Sequence, residues 1–317
     1  MKLNRDNPNE KSGFTIVELL TVMSIIILLI SLLVPALNRV RRYATRVKQS
    51  AQFHAISVAL EQFNGEYTSY PDSDRNDELG APYCGAMKLC EAMVGQDLKG
   101  YNPKSRFRYS EIPTYYPTTI PLSTDHPAYD NYNIDGRKMY IQLENANAYQ
   151  LWEIYTQAIL SDTSGDHGDF AYDPYTFVLC DVYNRVTSRR TSKKIGMPIL
   201  YYRADLTKTM FPDPNATVQT IINNVTANNY IYNVYDNQNL IEKGLPWDTS
   251  VTAMHPLSRN WGVGTSYPKP FYDMIRDPKV PTRDRPYRSD SYILLSAGFD
   301  GLYGTSDDVF NFNREGE

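Results

Sequence analysis

The sequence predicts an α+β fold in which a long N-terminal helix packs on a head built around an antiparallel sheet. Three observations predict it. Residues 14–37 form a run of 24 residues with one charge, and apolar residues then recur at helical spacing to residue 63. Short segments rich in Tyr, Val and Ile are spread through the rest of the 317-residue chain and are typical of strands.

A short polar stretch with a distinctive order stands directly before the apolar run. Residues 11–18 read Lys-Ser-Gly-Phe-Thr-Ile-Val-Glu. A secretory signal peptide has its small-residue cleavage site after the apolar core, whereas Gly13 precedes it. An ordinary signal peptide or signal anchor is the alternative, but cleavage at Gly13 would leave the apolar helix on the mature protein. Glu18 places one carboxylate in that helix, where a charge is costly and normally needs a partner.

The apolar run is long enough to cross a bilayer. Residues 14–37 would span about 36 Å as an α-helix. Pro35 either kinks the helix or stops it at the membrane surface, and the kink is favoured because the helical pattern resumes at once. Asn64-Gly65 is a plausible stop, so the helix is expected over about residues 15–64. Its second half carries one predicted apolar stripe: Val40, Tyr43, Ala44, Val47, Ala51, Ala55, Val58, Ala59, Leu60 and Phe63.

The Gly-Phe-Thr-x-x-Glu string with an apolar helix behind it resembles the leader-cleavage site of type IV pilins and type II secretion pseudopilins. The resemblance implies that a prepilin peptidase cuts after Gly13 and methylates the new N-terminal residue, Phe14. It implies that Glu18, the fifth mature residue, pairs with a terminal amine in a filament. Pro35 corresponds to a proline that these proteins commonly carry, and the implied fold is pilin-like.

The resemblance also implies a location and a set of partners. The chain would be a single-pass protein of the bacterial inner membrane, with its N-terminus cytoplasmic and its head periplasmic. The implied partners are the prepilin peptidase, other pilin-like subunits, an inner-membrane assembly platform and the membrane itself. Five cations after the apolar run would favour the reverse orientation by the positive-inside rule. The leader motif outweighs them, and they are interpreted as a collar near lipid headgroups or a surface for acids of adjacent subunits. The collar consists of Arg39, Arg41, Arg42, Arg46 and Lys48.

The predicted domains are a leader over residues 1–13, a helix over residues 14–65 and an α+β head over residues 66–317. Residues 75–290 of the head form an insertion that the small heads of major pseudopilins lack, so a minor or tip-located subunit fits as well as a main one. Helices are expected at 83–97 and 147–160, and strands at 137–143, 176–183, 198–204, 229–235 and 291–296.

The chain contains three cysteines, Cys84, Cys90 and Cys180. Helix-face spacing around Cys90 and an apolar run around Cys180 favour structural free thiols. A Cys84–Cys180 or Cys84–Cys90 disulfide is the alternative in an oxidising compartment.

An acidic loop lies near the C-terminus, over residues 296–311. Clustered acids in a glycine-rich loop repel one another unless a cation sits among them, and calcium takes about six to eight oxygens. The spacing is not that of an EF-hand, but it resembles the calcium loop of the major type II secretion pseudopilin. The alternative is a glycine-rich surface turn whose aspartates cap backbone amides. The resemblance implies side-chain ligands from Asp300, Asp307 and Asp308 and carbonyl ligands from Ala297 and Thr305.

The composition argues against several functional classes. Apart from the collar there is no basic face, and the formal net charge is −4, so nucleic acid is not expected as a partner. The chain contains no Gly-x-Ser-x-Gly, His-Glu-x-x-His or phosphate-binding glycine loop, so it is not expected to be an enzyme. The expected function is that of a structural subunit of a type II secretion pseudopilus or type IV pilus-like filament that supports protein secretion. The alternatives are a filament-displayed adhesin or ligand-binding module, and a membrane-tethered enzyme.

Overall fold

The computed structural model describes residues 15–117, 137–162, 172–250, 252–259, 268–279 and 284–314. The chain divides into two compact units, Met1–Thr45 and Arg46–Glu317. The predicted cleavage and methylation site, Gly13 and Phe14, lies outside the described residues.

Helix α1 runs from Ile16 to Tyr67 and is 52 residues long. Pro35 lies inside it, so the proline does not end the helix, as the resumption of the helical pattern predicted. Asn64-Gly65 does not end it either. The chain leaves the helix at Thr68, whose φ of 57° is left-handed, so the predicted stop at Asn64-Gly65 is too early.

The buried face of α1 coincides with the predicted apolar stripe only at Ala59, Leu60 and Phe63. Elsewhere in that stripe, Val47 and Val58 are 51% and 45% exposed. The buried face is centred on the side of the helix opposite these two valines, given about 100° of rotation per residue. It consists of Gln49, Gln52, Phe53, Ile56, Ala59, Leu60 and Phe63.

Two glutamines explain why the predicted stripe matches the buried face only in part. The Gln52 side-chain amide donates to the carbonyl oxygen of Cys180 over 2.8 Å, and Gln49 Oε1 accepts from the backbone N–H of Val182 over 3.0 Å. Both glutamines therefore pair with backbone groups of the chain that follows β2. A polar residue with such a partner can be buried. A prediction from hydrophobic spacing alone assigns that residue to the exposed side of the helix.

The other elements are short. The head helices are α2 (Gly85–Val94), α3 (Ile112–Tyr115), α4 (Leu143–Ala146), α5 (Leu151–Ile154), α6 (Gln157–Leu160), α7 (Val218–Thr226), α8 (Gln238–Ile241) and α9 (Lys269–Ile275). The strands are β1 (Ala148–Gln150), β2 (Phe177–Leu179), β3 (Val186–Thr187), β4 (Lys194–Ile195), β5 (Leu200–Arg203), β6 (Tyr292–Ser296) and β7 (Val309–Phe310).

The central sheet is antiparallel, in the order β5-β6-β7, with Leu295 opposite Leu200 on one side and Phe310 on the other. Strands β1 and β2 pair, as do β3 and β4. Beyond its end, β2 continues alongside the chain that enters β5, because Ile199 N–H donates to the Leu179 carbonyl over 2.7 Å.

Both faces of the central sheet are covered, and every residue of β6 is buried. Side chains alternate between the faces of a strand. Tyr201 and Leu294 lie in the cluster that includes Phe53 and Leu60 of α1. Ile293, one residue from Leu294, lies instead in the cluster formed mainly by the insertion. The head therefore has three layers: the second half of α1, the sheet and the insertion. This confirms the coarse prediction of a long helix on a small antiparallel sheet.

Several finer predictions fare differently. The helix at 83–97 and the strands at 176–183, 198–204 and 291–296 are confirmed in position by α2, β2, β5 and β6. Residues 147–160 form β1 and two short helices rather than one helix. The strands predicted at 137–143 and 229–235 are wrong. At 229–235, the Asn233 side chain accepts from the Tyr235 N–H over 2.9 Å and caps a 3-10 helix at Val234–Asn237. This local hydrogen bond ends the extended segment.

The three cysteines are free and buried, so neither alternative disulfide is formed. Burial raises the pKa of Cys84 to about 11 and also raises the pKa values of Cys90 and Cys180. Thiols in such surroundings are unreactive, which fits a structural role.

Candidate functional site

The start of α1 forms a capping box. Thr15 Oγ1 accepts from the Glu18 N–H over 3.2 Å. In return, Glu18 Oε2 accepts from the Thr15 N–H over 2.9 Å and from the Thr15 hydroxyl over 2.7 Å. This exchange satisfies N–H groups that a helix start leaves unpaired. The signal was present in the sequence as Thr-x-x-Glu before an apolar run, a pattern that the prediction of Glu18 as an assembly residue overlooked.

The capping box leaves part of the Glu18 carboxylate available. Both described hydrogen bonds go to Oε2, and the side chain is exposed. Glu18 can therefore cap its own helix and still offer Oε1 to a cation outside the chain.

The first part of α1 has the properties of a membrane span. By length and composition the helix could cross a bilayer, and its most apolar window has no buried side chains. Ile16 is 82% exposed and Leu28 is 60% exposed. In water such a surface is unfavourable, whereas lipid or neighbouring helices would cover it.

The second part of α1 exposes another apolar face. We call it the outer stripe and define it as Val47, Ala51, His54 and Val58, all of which are exposed. Their spacing of four, three and four residues is the spacing at which helices pack against each other. His54 is a helix-surface residue, as predicted.

One side of the acidic loop packs into the head, while Phe299 and Ser306 are exposed. Tyr303 is fully buried, its carbonyl accepts from the Leu257 N–H over 3.1 Å, and its N–H donates to His255 Nδ1 over 3.3 Å. Arg185 Nε donates to the Asp300 carbonyl over 3.1 Å. The insertion therefore holds the loop in place.

The loop closes tightly at Gly298. Its φ of 64° is left-handed, and a Cβ at this position would lie 2.2 Å from the Asp307 carbonyl oxygen. Only glycine fits such a close approach.

The loop carboxylates accept hydrogen bonds from the loop itself. Asp300 Oδ1 accepts from the Leu302 N–H over 2.7 Å, and Asp307 Oδ2 accepts from the Asp300 N–H over 2.9 Å. Asp308 Oδ2 accepts from the Gly304 N–H over 2.7 Å. These hydrogen bonds match the alternative interpretation of the loop, in which its aspartates cap backbone amides. Within the described ranges, no three His, Cys, Asp or Glu side chains are grouped so as to hold a metal ion.

One oxygen of the loop has no partner. Asp308 is buried, and its Oδ1 makes no hydrogen bond within the described structure. Burial raises the pKa of Asp308 well above its usual range, and Asp300 and Asp307 act in the same direction. Burial and the neighbouring Asp307 also raise the pKa of Asp300. Burial acts to raise the pKa of Asp307 as well, but hydrogen bonds from Thr305 and Asp300 bring it below its usual value. The loop thus concentrates acceptors, and the cations that contact it, Arg185 and Arg314, donate to its backbone carbonyls.

His255 beside the loop is neutral and does not act as a ligand in this arrangement. Its Nε2–H donates to the Gly244 carbonyl over 3.1 Å while Nδ1 accepts from Tyr303. Burial lowers the pKa of His255 to about 3, so the ring stays uncharged at neutral pH.

Comparisons of the chain with models of known protein families, with curated proteins and with solved structures found no match. The function is therefore inferred from the residues themselves.

Proposed function

We propose that the chain is a structural, pilin-like subunit that is cleaved after Gly13, methylated at Phe14 and assembled through α1 into a type II secretion pseudopilus or type IV pilus-like filament. The observation that carries the proposal is the apolar half of α1, whose side chains from Ile16 to Val34 are exposed and include one charge, Glu18. A helix of this kind is stable in lipid, and on leaving lipid it needs other helices around it.

The outer stripe supports assembly along the helix. It lies on the side of α1 opposite the face that packs on the sheet, so the head does not cover it. Small and branched residues at this spacing allow close packing of a neighbouring helix. In the proposal the neighbour is α1 of another subunit, and the Glu18 carboxylate pairs with a terminal amine.

The proposed setting is the bacterial inner membrane, with the N-terminus on the cytoplasmic side and the head in the periplasm. Prepilin peptidase, an assembly platform and other pilin-like subunits are the proposed partners. The exposed collar at Arg39–Lys48 would then lie at the headgroups next to the apolar segment.

Glu18→Gln is the test of assembly, because glutamine can keep the capping box while losing the charge. We expect filament yield, measured in the sheared and pelleted fraction, to fall at least about tenfold, as for loss of a charge-assisted contact. Thr15→Ala is the matched control, since it removes the cap and keeps the carboxylate, and it should assemble. Wild-type yield from Glu18→Gln would contradict the proposal. So would a mass spectrum of the mature chain that retains residues 1–13.

We further propose that the acidic loop binds calcium through Asp300, Asp307, Asp308 and the carbonyls of Ala297 and Thr305. The unpartnered, buried Asp308 Oδ1 supports this, because a hard cation is the natural partner of a carboxylate oxygen that no donor reaches. The Thr305 carbonyl accepts a long, 3.4 Å hydrogen bond from the Asp308 N–H, which leaves it able to contact a cation as well. Bound calcium would place positive charge directly among the carboxylates, whereas Arg185 and Arg314 contact the loop through its backbone carbonyls.

Calcium binding should appear as thermal stabilisation of the full chain in detergent. Near 100-fold excess over its dissociation constant, calcium should raise the melting temperature by about 5 °C relative to chelator. Asp308→Asn should remove most of this rise in melting temperature. Magnesium should reproduce little of the rise, because it requires a smaller and nearly ideal octahedral set of oxygen ligands. Equal melting temperatures with calcium and with chelator would contradict calcium binding. The loop carboxylates would then serve to cap backbone amides.

A further inference from the structure

A six-residue segment directly after β2 contacts both the second half of α1 and the acidic loop. We call it the bridging segment and define it as residues 180–185. Gln52 of α1 donates to the carbonyl oxygen of Cys180, and Gln49 of α1 accepts from the N–H of Val182. Both hydrogen bonds are buried, so the packing of this part of α1 on the head depends on where the bridging segment lies.

The bridging segment also holds the acidic loop, through two of its side chains. Asp181 is 2% exposed, and its Oδ2 accepts from the Ser296 hydroxyl over 2.7 Å. Ser296 Oγ in turn accepts from the N–H of Gly298, the residue at which the loop closes, over 3.2 Å. Arg185 Nε donates to the Asp300 carbonyl over 3.1 Å. The loop is therefore attached to the bridging segment at two points.

The bridging segment has little room to move without its neighbours. The Asp181 N–H donates to the Met197 carbonyl over 2.8 Å, and Asp181 Oδ1 accepts from the Met197 N–H over 3.2 Å. A Cβ on Gly196 would lie 2.0 Å from the Asp181 carbonyl oxygen, so the two stretches of backbone are in direct contact. A closely packed interior of this kind transmits a displacement rather than absorbing it.

We propose that the bridging segment couples the packing of α1 on the head to the conformation of the acidic loop. When residues 49–52 of α1 leave the head, the segment loses both of its α1 partners. The Asp181 and Arg185 contacts that fix the loop then lose their support, because they come from the same segment. Openings of a folded protein occur in contiguous units of this kind, at free energies below that of global unfolding.

The coupling works in both directions. Anything that stabilises the loop raises the free energy needed to release α1, since the release also frees the loop. A cation bound among the loop carboxylates would have this effect. The coupling itself needs no metal ion, and only its calcium dependence rests on the proposed calcium site.

Hydrogen exchange of the full chain in detergent with chelator tests the coupling without calcium. Gln52→Ala removes the donor to the buried Cys180 carbonyl and should speed exchange of the amides of residues 298–308 at least about threefold. Gln62→Ala is the matched control, because Gln62 is exposed on the same helix and its replacement should leave the loop amides unchanged. Helix α7 serves as the reference for loosening of the whole head.

Faster exchange of Gln52→Ala in the loop but not in α7 supports the coupling. Loop exchange equal to that of the wild type would overturn it. A rise of equal size in α7 would also overturn it, because the substitution would then have loosened the whole head.

Calcium provides the reciprocal test. At about 100-fold excess over its dissociation constant, calcium should slow exchange of the amides of residues 49–56 of α1 at least about tenfold. Ser296→Ala removes the link between Asp181 and the loop, so it should remove most of this slowing at the same calcium saturation. Calcium that binds by calorimetry without slowing these amides would overturn the coupling. Absence of calcium binding would instead contradict the proposed calcium site, and the metal-free comparison of Gln52→Ala with the wild type would alone decide whether the coupling exists.

Discussion

Gly85→Ala is expected to destabilise the head by about 3 kcal/mol or more, although alanine is the better helix former. Gly85 begins α2, and a Cβ on it would lie 2.2 Å from the Tyr201 carbonyl oxygen and 3.2 Å from Asn237 Nδ2. The carbonyl belongs to β5 and cannot move without disturbing the central sheet. All ten residues of α2 are buried, so the helix has no free side toward which it can shift.

Gly65→Ala is the matched control for that prediction. Gly65 lies in α1, and a Cβ there would meet nothing within 4 Å. The same substitution should therefore stabilise the protein by about 0.5–1 kcal/mol. Thermal unfolding of the full chain in detergent should show a fall of roughly 6–12 °C for Gly85→Ala and a small rise for Gly65→Ala. A melting temperature for Gly85→Ala at or above that of the wild type would mean that α2 does not pack on β5 in this way.

Local sequence signals predicted those helices and strands whose type is determined by their own residues. The apolar run of α1, the apolar spacing of α2 and the Tyr- and Leu-rich strand β6 each carry their own periodicity. The acids of the C-terminal loop were recognisable as a group because they are neighbours in sequence. The side chains that each element buries were harder to predict, since distant partners decide whether a polar group can be buried.

Glu91 of α2 shows how such partners override the pattern. It is fully buried and accepts hydrogen bonds from the hydroxyls of Tyr83, Ser105 and Tyr116. Two of these three residues lie outside the helix on its C-terminal side, in turn-rich chain that gave no periodic signal.

Lys88→Met is the second substitution with a large expected effect. Lys88 is 1% exposed, and its ammonium donates to Asp72 Oδ2 over 2.5 Å, the Asp74 carbonyl over 2.8 Å and the Asn76 carbonyl over 2.9 Å. All three acceptors belong to the loop that follows α1. The ammonium is therefore an internal cation that holds three acceptors of this loop together.

Methionine keeps most of the length and apolar stem of Lys88 but removes every one of these donors. Two carbonyls would lose the Lys88 donor, and Asp72 would keep its ion pair with Arg203, at 3.3 Å. Lys88 is buried but Asp72 is 30% exposed, so the loss is expected near the lower end of the roughly 3–5 kcal/mol typical of a buried pair. Lys138→Met is the matched control, because Lys138 pairs with Glu66 over 2.8 Å at the surface and its loss should cost less than about 1 kcal/mol. Equal melting temperatures for the two variants would show that the Lys88 ammonium does not organise the loop, and that α2 is held by its apolar contacts alone.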